Sequence, residues 1–185
     1  MAKKNLADLN CQTTIYITPP KIVDAVRSYF PGGIIPLDPA TEPNNPLNAA
    51  AFAAGPSCNE TSLGDGLKIC WADYGGTFIN PPYSREIRAW LAKLHEEVVL
   101  GAEVVALLPA GARYSTKYWQ KDAFNAGLDA ICFVKGRVKF LRPDGSATTG
   151  SNPYDSQIML YNGDIERFIE AVGHLGKVLV ISEIR

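Results

Sequence analysis

Thr77-Phe78-Ile79-Asn80-Pro81-Pro82-Tyr83-Ser84 joins a β-branched, aromatic run to two consecutive prolines and then to a helix-capping residue. Thr77–Ile79 reads as a short strand, because these residue types fit a pleated, buried surface. The prolines fix their own φ angles and remove two backbone donors, so the strand must stop and a stiff loop must follow. Ser84 is placed to cap a helix in which Ile87, Trp90, Leu91, Leu94 and Val98 form one apolar stripe. Residues 103–108 are almost continuously apolar, as expected of a central parallel strand covered on both faces. Strand, stiff joint, amphipathic helix and buried strand make a βαβ unit, and that unit sets the fold class.

Upstream, Thr18-Pro19-Pro20 opens a helix, with Thr18 able to cap and Pro19 suited to the first helical position. Ile22, Val26, Tyr29 and Phe30 recur at helical spacing until Pro31-Gly32-Gly33 ends the pattern. Ile34-Ile35-Pro36-Leu37 reads as a short buried strand that ends at Asp38. Residues 39–76 are polar and alanine-rich, with a short helix expected over 47–54. Downstream, the patterns predict a helix over 115–126, a strand over 130–134 and a strand or hairpin arm over 137–141. A loop over 142–153, a strand over 157–161, a helix over 164–175 and a last strand over 177–184 complete the chain.

These alternations predict one α/β domain over residues 1–185, with a mixed, mostly parallel sheet and helices on both faces. Residues 1–13 are expected to form a flexible leader, and no block is large enough for a separate target-recognition domain. In such sheets ligands bind outside the carboxyl ends of strands. Asp38 and Asn80 both stand at strand carboxyl ends, which puts them on one rim.

With 46% hydrophobic and 20% charged residues in 185, the chain can bury a sizeable core. No apolar run approaches the roughly 20 residues that cross a bilayer. The charged start, Met1 to Asp8, has no apolar stretch behind it, so no secretory signal is read and a cytoplasmic location is expected. Cys11, Cys58, Cys70 and Cys132 form no C-x-x-C pair and have no histidine nearby, so neither a metal site nor a disulfide framework is expected. The formal charge of −1 hides an asymmetry. Residues 113–142 hold seven basic side chains against two acidic ones, a net of +5 that leaves −6 elsewhere.

That basic segment has the charge that short-range recognition of a polyanion needs, although a solvated face has the same composition. Arg113, Lys117 and Lys121 recur every four residues, which aligns them on one helical face near Tyr114, Tyr118 and Trp119. Arg137 and Lys139 alternate and so share one face of an extended segment, with Lys135 just ahead.

Asn80-Pro81-Pro82-Tyr83 carries the strongest chemical signal. A neutral amide, a rigid loop whose carbonyls need outside partners and a flat ring together suit a planar substrate with an NH2 group. If the Asn80 oxygen and the Pro81 carbonyl accept the amine's two N–H bonds, its lone pair is freed from the ring and can attack. Such chemistry rests on positioning and electrostatics, with no strong base required first. A duplex base would have to be flipped out to reach such a loop.

The ordered set of motifs then resembles a family. Thr18-Pro19-Pro20, Leu37-Asp38-Pro39-Ala40, Asn44 and Asn48, Asp65-Gly66-Leu67 with Trp71, Phe78 to Tyr83, Trp90, Leu107-Leu108-Pro109 and Lys135 to Phe140 carry the likeness. Over residues 18–161 the chain resembles the phage-type DNA N6-adenine methyltransferases, small Dam-like enzymes. The resemblance implies a Rossmann-like fold and transfer of a methyl group from S-adenosylmethionine to the adenine amine of DNA in a bacterial host's cytoplasm.

It also implies that Asn80, Pro81, Pro82 and Tyr83 are catalytic; the spacing and charge of Arg113, Lys117, Lys121, Lys135, Arg137 and Lys139 make them the residues expected to face DNA phosphates. Thr18 and Pro19, Asp38, Pro39 and Ala40, and Asp65 would then hold the cofactor, with Asn80 shared between cofactor and substrate. Carboxylates suit this cofactor, which has an amino group, ribose hydroxyls and a sulfonium but no phosphate. The chain departs from many methyltransferases in having no G-x-G turn after the first strand, since Ala40 is followed by Thr41-Glu42-Pro43-Asn44. Glu60 is the one candidate for the ribose hydroxyls. Methylation of cytosine N4, RNA adenine or a protein glutamine stays open at this point, as does a DNA-binding module without catalysis.

Overall fold

A computed structural model describes residues 17–55, 62–111, 113–142, 144–146 and 154–181. Seven strands make one sheet: β1 (Leu37–Asp38), β2 (Ala51–Phe52), β3 (Thr77–Ile79), β4 (Val104–Ala110), β5 (Leu128–Val134), β6 (Asp155–Tyr161) and β7 (Gly176–Val180). Their spatial order is β2-β1-β3-β4-β6-β5-β7. β1 pairs in parallel with β2 and β3, and β3 pairs in parallel with β4. β6 lies antiparallel between β4 and β5, and β7 adds an antiparallel edge to β5.

β1 to β5 therefore point one way, and their carboxyl ends share a rim. The chain order turns around at β1, with β2 on one side and β3 on the other, which is where a doubly wound sheet opens a crevice. The mixed α/β sheet expected from the alternation of elements is the one observed.

Side chains alternate across the sheet and build two cores. On one face Phe78, Val105, Leu107, Cys132, Ile158 and Leu160 pack against α1 (Pro20–Tyr29) and α3 (Ile165–Val172). On the other, Leu37, Ile79, Val104, Ala106, Leu108 and Met159 pack against α2 (Ile87–Val99) and a π-helical segment, Trp119–Phe124. Two polar anchors tie loops to this frame. Tyr29, fully buried, donates its hydroxyl to Glu103 and accepts the Asp164 N–H at 3.1 Å. Glu97 accepts the Trp71 and Ala72 N–H groups at 2.6 and 3.2 Å and pairs with Lys93 at 2.5 Å. Burial pushes the Glu97 carboxyl up, but Lys93 and the two N–H groups outweigh it and hold the group below its usual range.

Several elements differ from the sequence expectation. Residues 47–54 form turns and β2, not a helix. Asn45 uses its side chain as a backbone surrogate, accepting the Ala49 N–H at 3.0 Å and donating to the Ala49 carbonyl at 2.9 Å. Asn45 and Asn48 also sit at φ 45° and 48°, which stops a right-handed helix.

Half of the 115–126 stretch, Trp119–Phe124, winds as a π-helix, and Tyr114, Trp119 and Phe124 recur every five residues and gather their rings within 5.2–5.7 Å of one another. Residues 137–141 form no strand, and only Leu141 bridges, to Ile17. Even so, Val138 and Phe140 are buried while Arg137 and Lys139 are exposed, so the expected division of faces holds. Ser84 stands three residues ahead of α2, where its hydroxyl accepts the Glu86 N–H at 3.2 Å. The proposed leader over 1–13, and Glu60, lie outside the described residues.

Candidate active site

Asn80-Pro81-Pro82-Tyr83 leaves the carboxyl end of β3 beside the crevice at β1. Thr18 does not cap α1, whose first turn has no side-chain cap bond. Its hydroxyl instead accepts a hydrogen bond from the Asn80 side-chain Nδ2 at 3.0 Å, and Thr18 itself is buried. One amide hydrogen of Asn80 is thereby fixed, and with it the plane of the amide.

Pro81 is buried and Pro82 exposed. The Tyr83 ring is half-buried and stands edge-on to Phe140, 6.1 Å away. Its hydroxyl donates to the Leu107 carbonyl at 3.3 Å. Leu107 lies one residue past Ala106, the last β4 partner of β3, so the tyrosine reaches in where the shorter strand has stopped. Burial pushes the phenol well above its ordinary range.

Across the crevice, Asp38 closes β1 with its carboxyl almost fully buried. It accepts the Ala40 N–H at 3.1 Å, which folds Pro39 and Ala40 into a tight turn. Burial pushes this carboxyl up to about 7, although the Ala40 N–H and the Thr41 side chain draw it back. Asp65 also shapes a turn, accepting the Leu67 N–H at 3.1 Å with Lys68 3.5 Å away.

The two segments meet at Gly66. A Cβ there would lie 1.8 Å from the Pro39 carbonyl oxygen, so only glycine lets the backbones approach this closely. Behind the turn, Trp71 is fully buried and donates its indole N–H to the Gly66 carbonyl at 2.9 Å. Trp71 is thus core, stacked near Trp90, and supports the crevice from below.

A narrow pocket of about 20 Å³ opens past the end of β4. Tyr83, Tyr114, Trp119 and Tyr154 give it aromatic walls, and Arg113 stands at its edge. Tyr114 is held by Gln157, which accepts its hydroxyl at 2.6 Å. Trp119 is buried, yet its indole N–H has no partner among the described residues. The five-residue spacing of Tyr114, Trp119 and Phe124 was the signal for this wall, and a search for helical periodicity passes over it.

The expected basic residues divide by position. Arg113 lines the pocket and packs over the Tyr154 ring at 5.6 Å. Lys135 follows the carboxyl end of β5, and Arg137 approaches Asp155, the partner of Ala110 at the end of β4, at 3.7 Å. Lys139 is exposed on the same extended segment. These four belong to the rim. Lys117 and Lys121 are exposed and line no pocket described here, and Lys121 lies 3.7 Å from Asp122.

The fold defines a doubly wound α/β scaffold with its polar loops gathered at one rim. A family model described as DNA N-6-adenine-methyltransferase (Dam) matches residues 9–175, nearly the whole chain. The chain belongs to that family of DNA-modifying methyltransferases. No curated protein matches it. No helix among the described residues is long and apolar enough to cross a membrane.

Proposed function

We propose that the chain transfers the methyl group of S-adenosylmethionine to the N6 amine of adenine in DNA. The observation that carries this reading is the Thr18–Asn80 hydrogen bond at the head of the Asn80–Tyr83 loop. Because Nδ2 of Asn80 donates to Thr18, Oδ1 is the atom left to accept from a substrate amine. Together with the Pro81 carbonyl it offers two acceptors for the two hydrogens of one NH2 group. Taking both hydrogens draws the amine nitrogen toward a pyramidal shape and localises its lone pair, an electrostatic effect prepared before the substrate arrives.

Tyr83 supplies a ring for the base. Its buried phenol stays protonated at neutral pH, so it serves as a surface and not as a base. A duplex adenine reaches this loop only by leaving the stack.

The donor set fits S-adenosylmethionine. Two acidic residues, Asp38 and Asp65, each fold a turn, and the two turns are held together where the Gly66 backbone packs against the Pro39 carbonyl. Thr18, Pro19, Asp38, Pro39, Ala40, Asp65 and Asn80 are the residues that would hold it, and when bound it supplies an electrophilic methyl group. The experiment is nucleoside mass spectrometry of DNA incubated with the protein and S-adenosylmethionine. N6-methyladenine is expected from the wild type. Asn80→Ala is expected to lose most of that product while keeping its affinity for S-adenosylhomocysteine in calorimetry. Methylcytosine without methyladenine, or full activity in Asn80→Ala, overturns the proposal.

A further inference from the structure

Next to the aromatic pocket lies an open groove of about 600 Å³. Arg85, Arg88 and Arg113 line it, together with Ser84, Thr116 and Tyr118, and none of its lining residues is acidic. Arg113 belongs to both concavities, so the groove continues from the pocket at the edge of the Asn80–Tyr83 loop. Arg85 follows that loop by two residues, and Arg88 sits in the first turn of α2.

Among the described residues, none of the three guanidinium groups is ion-paired. Arg88 instead lies over the Tyr118 ring at 5.0 Å, and Arg113 over Tyr154. A cation over a ring face uses none of its N–H groups there, so among the described residues Arg88 keeps its N–H fork for a planar or tetrahedral oxyanion. Arg113 also donates from Nη2 to the Tyr154 hydroxyl at 3.5 Å and keeps its remaining N–H groups. Three like charges gathered in one concavity repel one another, and a ligand with spaced negative charges offsets that cost.

We propose that this groove holds the sugar-phosphate backbone of the DNA strand whose adenine enters the Asn80–Tyr83 loop, with Arg85, Arg88 and Arg113 on successive phosphates. The inference rests on the function proposed above and assigns a place to its substrate's backbone. Arg85 and Arg88 lie outside the basic segment 113–142, so the charge asymmetry of the sequence does not point to them. Phosphate contacts fix register without reading sequence, so the groove adds affinity and orientation but no base preference.

The test is fluorescence anisotropy of a labelled DNA duplex over a salt series, for the wild type and Arg85→Gln/Arg88→Gln. Each lost phosphate contact removes about one from the slope of log affinity against log salt. The double variant is expected to lose about two, and to bind roughly tenfold to a hundredfold more weakly near 0.1 M salt, equally on duplexes of different sequence. Its melting temperature and S-adenosylhomocysteine affinity are expected to match the wild type. Arg85→Gln alone, at an exposed position with no ion pair among the described residues, serves if the double variant does not fold. An unchanged slope in a folded variant, a wild type that does not bind DNA, or a larger slope loss on RNA than on DNA overturns the groove assignment. Anisotropy requires no turnover, so a wild type that binds with full slope yet yields no methyladenine refutes the reaction and leaves the groove intact.

Discussion

Asp38 holds its carboxyl nearly out of water, and burial raises it from 3.8 to about 7. The native state therefore keeps a proton that the unfolded chain gives up near pH 4. Stability from this group is full below the unfolded value and is lost as pH rises through about 7. Asp38→Asn removes the titrating group, so the variant gains on the wild type, by an amount on the order of a few kcal/mol, as pH climbs through that window. Thermal unfolding at a series of pH values measures this. Parallel curves for the two proteins would show that Asp38 does not titrate as described.

Asp38 and Asn80 were both readable as rim residues, because each ends a short apolar run and strand ends line ligand crevices. The partner of Asn80 was not readable. Thr18 stands 62 positions away, in front of a helix where a threonine ordinarily caps, and only the tertiary fold turns its hydroxyl elsewhere. The same limit applies to Asp65, whose turn-forming role follows from Gly66 but whose closeness to Pro39 does not.

Among the elements, the loop over 65–68 is the one the crevice can least afford to move. Gly66→Ala places a methyl group against the Pro39 carbonyl, and neither backbone has room to yield. The expected result is a loss of about 1–3 kcal/mol in urea unfolding and weaker S-adenosylhomocysteine binding in calorimetry. Wild-type values in both would mean that the two segments adjust independently. The βαβ core was legible because its hydrophobic periods are long and its boundaries carry prolines. The stretch over 47–54 was not, since the Asn45 side chain and the left-handed backbone at Asn45 and Asn48, and no periodicity, dictate its path. The π-helical turn escaped for a related reason, as its aromatic period of five belongs to no standard template.

Across the molecule, the carboxyl ends of five strands gather an amide, two carboxylates, an aromatic pocket and a basic margin on one edge. Arg137 and Lys139 extend that margin beyond the pocket. Arg137→Glu/Lys139→Glu is expected to flatten the salt dependence of DNA binding by about two in slope. Binding measured by anisotropy with an unaltered slope would take these residues out of the DNA path. The charge asymmetry in the sequence located this margin because alternation alone exposes both side chains, whether or not a strand forms.

β6 fills the gap between β4 and β5 although the chain reaches it after both. During synthesis the two earlier strands must therefore wait, β4 with one edge unpaired and β5 with both, until residue 161 has left the ribosome. Any product that stops short of that point carries three sticky borders and a divided rim. Such fragments are candidates for aggregation and proteolysis and have no route to partial activity, so a nonsense codon anywhere before Tyr161 amounts to a null allele.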